Sequence, residues 1–237
     1  MLMTAMVFAA GCKKDDSGNN TGNNNGPGGG GVGPGGGGTN HEYVDLGLPS
    51  GTLWATCNVG ATKPEDYGDY FAWGETQPKD YYDWSTYKWC KGDRYQLTKY
   101  CNDYEYGYNG FADNLTILQS GDDAATANWG SGWRTPTEGQ WQELEDNTTS
   151  EWTTRNDVYG RVFYSNGQSL FLPAAGHCWH NGLDYDGTYG DYWSSSLRTD
   201  GPDYAWIFHF DSDRYSVGGN FRESGQPVRP VRTARQN

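Results

Sequence analysis

Basic residues are scarce in this 237-residue chain: 17 Lys and Arg stand against 30 Asp and Glu, a formal net charge of −13. An acidic surface repels phosphate backbones and anionic headgroups, so nucleic acid and direct contact with a membrane surface are excluded as expected partners. The acidic residues also lack EF-hand spacing, and a structural Ca²⁺ is left open, with no motif to place it. Cysteine is sparse. The chain has five, with no CxxC pair and no Cys/His arrangement at zinc spacing, which argues against a metal centre. No G-x-S-x-G sequence is present, so a nucleophile elbow is excluded. The mean hydropathy is only −0.88. Yet the chain holds 11 Trp, 18 Tyr and 8 Phe, and a core built from aromatic rings more than aliphatic chains is expected.

Residues 17–40, SGNNTGNNNGPGGGGVGPGGGGTN, contain almost nothing but Gly, Asn, Pro, Ser and Thr. With no apolar surface to offset chain entropy, this stretch reads as a flexible tether. About 195 residues remain, enough for one domain with a sizeable core. Ahead of the tether, MLMTAMVFAAGCKKDD carries an apolar run too short to span a membrane, and it ends Ala9-Ala10-Gly11-Cys12. Small residues before a cysteine resemble the lipobox of bacterial lipoproteins, in which Cys12 would be lipidated. The Lys-Lys-Asp-Asp that follows resembles the export signal of outer-surface lipoproteins. The expected organisation is residues 1–12 as signal-peptide end and lipobox, 13–40 as tether, and 41–237 as the folded domain. In an exported domain disulfides are permitted, and Cys90 and Cys101, bracketing a Gly-containing loop, are the candidate pair.

Val44, Leu46, Leu48 and Leu53 are core candidates on short strands. Residues 62–112 are dense in Tyr, Trp, Asp and Gly and have little periodicity. Ser120 and Asp123 stand at capping-box spacing before AATANW, with Gly130 as the stop. Thr135, Pro136 and Glu138 predict a second helix start, with Trp141 and Leu144 on one face. The period then falls to two. Asn166-Gly167 between apolar runs predicts a hairpin. YAWIFHF (204–210) puts Trp206, Phe208 and Phe210 on one face and Ile207, His209 and Asp211 on the other. Ile207 reads either as part of a binding face or as a buried residue of a two-sided sheet. PVRPVR (227–232) predicts a closing edge strand. Helices first and antiparallel strands later give α+β.

Catalytic constellations are poorly supported. Ser194, Ser195 and Ser196 beside His177, His180 and His209 read better as a strand end satisfying backbone groups. Asp122-Asp123 reads as helix capping, and the spacing of Asp184 and Asp186 means little without a pocket. His177 and His180 lack a third metal ligand.

The stretches YVDLGLPSGTLWATCNVGA, YGDYFAWGET, DDAATANWGSGWRTPT, LFLPAAG, YWSSS and PVRPVR together resemble the signature of the Fibrobacter succinogenes major paralogous domain. That resemblance implies a C-type-lectin-like or formylglycine-generating-enzyme-like fold: two short helices, a small twisted antiparallel sheet and many loops. The formylglycine-generating branch uses a reactive cysteine pair near its C-terminus, and here no cysteine follows Cys178. The chain also resembles the variable lipoproteins of diversity-generating retroelements, whose C-terminal segment is rewritten at adenines. An AAC codon varied at its adenines cannot yield Trp, Lys, Glu, Gln or Met. Residues 194–221 hold one such residue in 28, against 29 in 153 over residues 41–193.

The resemblance implies a non-catalytic ligand-binding segment over about 197–222. Its candidate contacts are Arg198, Thr199, Asp200, Asp203, Tyr204, Ile207, His209, Asp211, Asp213, Arg214, Tyr215, Asn220 and Arg222, a paratope-like mixture of rings, guanidiniums and small polar groups. No cofactor is expected. The expected partner is a protein or glycan on another cell or phage, met by a chain lipid-anchored at the outer membrane. An exported enzyme acting on glycans or related to formylglycine-generating enzymes, and a structural surface protein without a specific ligand, are the alternatives.

Overall fold

The computed structural model describes residues 41–233. Cys12 and the 13–40 tether lie outside the described residues. The chain enters through β1 (Tyr43–Asp45) and β2 (Thr52–Ala55), which pair antiparallel, and β3 (Tyr70–Phe71) follows. Next come α1 (Ala124–Trp129) and α2 (Glu138–Asn147). β4 (Thr149–Arg155), β5 (Val158–Ser165) and β6 (Gln168–Pro173) form an antiparallel meander, and β7 (His177–Trp179) and β8 (Gly182–Asp184) form a small hairpin. The central sheet holds β9 (Gly190–Leu197), β10 (Tyr204–Phe210) and β11 (Tyr215–Phe221) in the order β11-β10-β9. Finally β12 (Gln226–Pro227) pairs with β3, and β13 (Val231–Thr233) returns to β2 beside the start of the chain. Among the described residues the architecture is α+β: two α-helices, small antiparallel sheets and long loops. No helix among the described residues is long and apolar enough to cross a membrane.

The turn and cap chemistry shows where the sequence acts locally. Asn166 and Gly167 take φ of 51° and 70°, the left-handed pair of a two-residue hairpin turn, and join β5 to β6 as expected. Both helices form where expected, but their caps sit further along. Asp123, not Ser120, caps α1, its carboxylate accepting from Ala125 N and Thr126 N. The Asp123 carboxylate also accepts from Thr135 N and the Thr135 hydroxyl, so Thr135 fastens α1 to the next segment instead of starting α2. Thr137 starts α2 through a reciprocal capping box with Gln140.

Two aromatic cores lie on opposite faces of the central sheet. Tyr192, Phe208 and Phe210 join the first, with Val44, Leu46, Leu48, Trp54, Trp141 and Leu144. Trp193, Ala205 and Ile207 join the second, with Phe71, Trp73, Tyr100 and Trp129. Ile207 is therefore buried in a two-sided sheet and does not face solvent. Trp206, expected beside Phe208 and Phe210, is only half-buried. Indole N–H groups stitch the layers together: Trp73 Nε1 donates to Ser194 O at 2.7 Å and Trp193 Nε1 to Phe71 O at 2.6 Å. That pairing satisfies the donors of these two buried indoles.

The expected Cys90–Cys101 disulfide does not form. Both are free thiols: Cys90 Sγ contacts Trp84 O at 3.1 Å, and Cys101 Sγ contacts Asp103 O at 3.0 Å. Both side chains are packed among rings such as Tyr82, Tyr87 and Tyr67, and burial pushes each thiol up.

Candidate ligand-binding face

The segment 197–222 does not present its candidate residues as one patch. Tyr204 pairs with Phe221 at one end of the β10–β11 ladder and Phe210 with Tyr215 at the other, six residues apart. At about 3.3 Å per residue the two ends are separated by roughly 20 Å. Arg198, Thr199, Asp200, Asp203, Tyr204, Asn220 and Arg222 belong to the first end; His209, Asp211, Asp213, Arg214 and Tyr215 belong to the second. Ile207 lies between and is buried.

At the first end, rings and guanidiniums form one continuous row. Arg198 lies over Trp206 at 5.5 Å and over Tyr204 at 5.7 Å. The Tyr204 ring packs on Phe221 with centroids 4.2 Å apart. Phe221 is met by Arg94 at 5.8 Å, Arg94 covers Tyr95 at 4.6 Å and hydrogen-bonds its hydroxyl, and Tyr95 packs on Tyr106 at 5.2 Å. Asp200 accepts from Arg198 Nε at 2.8 Å and Nη2 at 3.0 Å, a two-point grip that fixes the fork. Arg94 is steadied from below by Asp203, 3.7 Å away. Asn102 Nδ2 donates to Thr199 O and ties the loop of residues 101–107 to the strand end. Arg94, Tyr95 and Tyr106 were not singled out by the sequence, because they come from the aperiodic 62–112 stretch about 100 positions away.

Beneath this row, two of the candidate contacts are structural. Arg222 is fully buried: its Nε donates to the Tyr87 hydroxyl, Nη1 to Tyr100 O and Pro202 O, and Nη2 to Lys99 O. Its guanidinium also lies 4.9 Å from the Trp73 ring. It binds three loops from inside and offers nothing to a ligand. Asp203 is buried too, and burial pushes its carboxyl up despite the nearby Arg94, Arg222 and Arg198. Glu223, next in the chain to Arg222, is 4% exposed, and its Oε2 has no hydrogen-bond partner. Burial first, then the charges of Asp203 and Asp83, push its carboxyl up to about 7.

The second end is organised around Asp191, which is buried at the start of β9. His177 Nδ1 lies 2.9 Å from Asp191 Oδ2 and His209 Nδ1 lies 2.6 Å from Oδ1. Burial pushes the Asp191 carboxyl up, but the bonds and charges of the two imidazoles outweigh it and hold it below the usual range. The Asp191 hydrogen bond raises His209 above its ordinary value. Asp211 shapes the β10–β11 turn, its Oδ1 accepting from Asp213 N and Arg214 N. Tyr215 is half-buried and packs edge-on against Phe163 at 5.6 Å.

Two of the three serines hold backbone. Ser194 Oγ accepts from Ser196 N, Ser196 Oγ accepts from Glu138 N at the start of α2, and Ser195 is buried. Among the described residues no group of three or more His, Cys, Asp or Glu side chains converges in a way that could hold a metal ion. No curated protein and no solved structure matches the chain. One family model, described as a domain of unknown function (DUF8237), matches residues 142–231, a span that runs from α2 through the whole central sheet to the start of β13.

Proposed function

We propose that the chain is a surface-displayed lipoprotein, anchored through Cys12 and held off the membrane by the 13–40 tether, which binds a protein ligand without catalysis. The observation that carries the reading is the row Trp206–Arg198–Tyr204–Phe221–Arg94–Tyr95–Tyr106. Tyr, Trp and Arg are the residue types that concentrate binding energy at protein interfaces, because they bury much area for few rotatable bonds. The row is also preorganised. Asp200 and Asp203 hold the two guanidiniums, so little side-chain entropy remains to be lost on association. Any diversification of the segment 197–222 would act on the exposed Thr199 and Asp200 and the half-exposed Arg198 and Tyr204, and not on Ile207, Asp203 or Arg222, which the fold uses.

A photoreactive residue placed at Thr199 tests the reading. On illumination amid neighbouring cells it should join the chain to a protein partner, and the product should disappear when Arg94 and Arg198 are both replaced by Ala. A product that persists in the double variant would move the binding face elsewhere.

A further inference from the structure

At the opposite end of the central sheet an open groove of about 360 Å³ lies between the β4–β5 hairpin and the turns at 187–189 and 211–213. One wall is aromatic: Trp152 and Tyr159 stack within 14° of parallel with centroids 6.0 Å apart, and Tyr159 is 52% exposed. The facing wall carries Tyr189 and the polar side chains of Thr188, Asp211 and Asp213. We propose that this groove binds a neutral, hydroxyl-rich saccharide. The inference holds whether or not the ring–guanidinium face at the other end takes a protein.

The walls are held in place from behind. Arg161, buried under the turn, donates from Nη2 to Asp211 O at 2.8 Å and to Ser212 O at 3.1 Å. Trp152 is braced edge-on by Phe210 at 6.4 Å. Tyr189 stacks on Tyr185 at 4.7 Å and meets the edge of His209 at 5.3 Å, and His209 is itself fixed by Asp191. A sugar ring can lay an apolar C–H face on the exposed Tyr159 ring, while its hydroxyls donate to carboxylate oxygens and exchange hydrogen bonds with Thr188.

The charges select the class. Asp211 and Asp213 would repel acidic sugars and phosphorylated ligands. A cationic ligand is the competing class, since rings and carboxylates also make ammonium cages. The charges around the turn favour the neutral ligand. Arg214 Nε stands 3.4 Å from Asp211 Oδ2 and the Arg161 guanidinium lies behind the turn, so positive charge is already present beside the carboxylate.

Calorimetric titration of the full chain with a panel of short neutral oligosaccharides, and separately with choline, decides the matter. At least one neutral oligosaccharide should bind saturably. Tyr159→Ala and Asp213→Asn should each weaken that binding about tenfold, roughly 1.4 kcal/mol. Tyr104→Ala, which removes an exposed ring outside the groove, should leave it unchanged. Both groove side chains are exposed, so neither substitution should shift the melting temperature. Absence of binding across the panel would overturn the proposal, as would binding that survives both groove variants. Choline binding that is lost in Tyr159→Ala, with no saccharide bound, would assign the groove to cations instead.

Discussion

Phe208 lies flat against Trp141, ring planes within 3° and centroids 4.8 Å apart, while the next residue back, Ile207, points into the other core. A single strand thus separates two packed layers, and its side chains have no slack on either side. Phe208→Ala should cost about 3–5 kcal/mol and Ile207→Ala about 2–5 kcal/mol. Chemical denaturation of the two variants checks both numbers; an Ile207→Ala protein as stable as the parent would put that side chain back at the surface.

Two arginines in the same segment should behave oppositely. Arg222 satisfies one hydroxyl and three carbonyls inside the protein, so Arg222→Ala strands buried acceptors and should cost about 3 kcal/mol or more. Arg198 pairs with Asp200 at the surface, and Arg198→Ala should stay within about 1 kcal/mol of the parent. Equal melting temperatures for the two variants would contradict the division into scaffold and contact residues.

Stability should fall as pH rises from the acid range to neutrality. The Glu223 carboxyl ionises near 4.5 in an unfolded chain and at about 7 in the native one, so the native state holds a proton over that interval that the unfolded state has lost. The resulting loss is complete above about pH 7 and amounts to roughly 3 kcal/mol. His209 acts in the same direction: its stabilisation is full below the ordinary histidine value of 6.5 and is lost as pH passes the raised native value. Asp191 acts at the acid end, its contribution present above the ordinary value of 3.8 and lost as pH falls through the lower native one. Glu223→Gln should therefore raise the melting temperature at pH 8 and change it little at pH 4. Melting curves at the two pH values check this, and an equal effect at both would mean that Glu223 does not carry a buried charge.

Anchoring is tested apart from the fold. Cys12→Ala should abolish incorporation of labelled palmitate and release the chain from membranes. Label retained in that variant would contradict the lipoprotein reading.

Much of the scaffold is legible in the sequence because its signals are local. Asn166-Gly167 fixes a hairpin by backbone conformation alone, and Gly130 ends α1 where expected. The caps of both helices were displaced by tertiary bonds: Asp123 serves Thr135 and α1 together, which leaves Thr137 to open α2. Period-two alternation sorted Phe208 from Ile207 correctly, but alternation cannot say whether the second face is wet or covered. Here a second aromatic core covers it. The ring–guanidinium row is half legible for a similar reason. Arg198 and Tyr204 lie in a segment whose composition is paratope-like, whereas Arg94 and Tyr95 reach the row through a loop with no periodic signal, and only the fold brings them together. Arg222 misled because a buried arginine bonded to carbonyls looks in sequence like an exposed one.

The ring–guanidinium row is most directly tested by replacing Arg94, Tyr95 and Arg198 together with Ala in the full chain, and measuring both its melting temperature and its capture of surface proteins from neighbouring cells. The melting temperature should barely move, because all three side chains are exposed or half-exposed. Capture should fall at least about tenfold for the same partners the parent chain retains. Undiminished capture by a fully folded triple variant would contradict the assignment of the binding face.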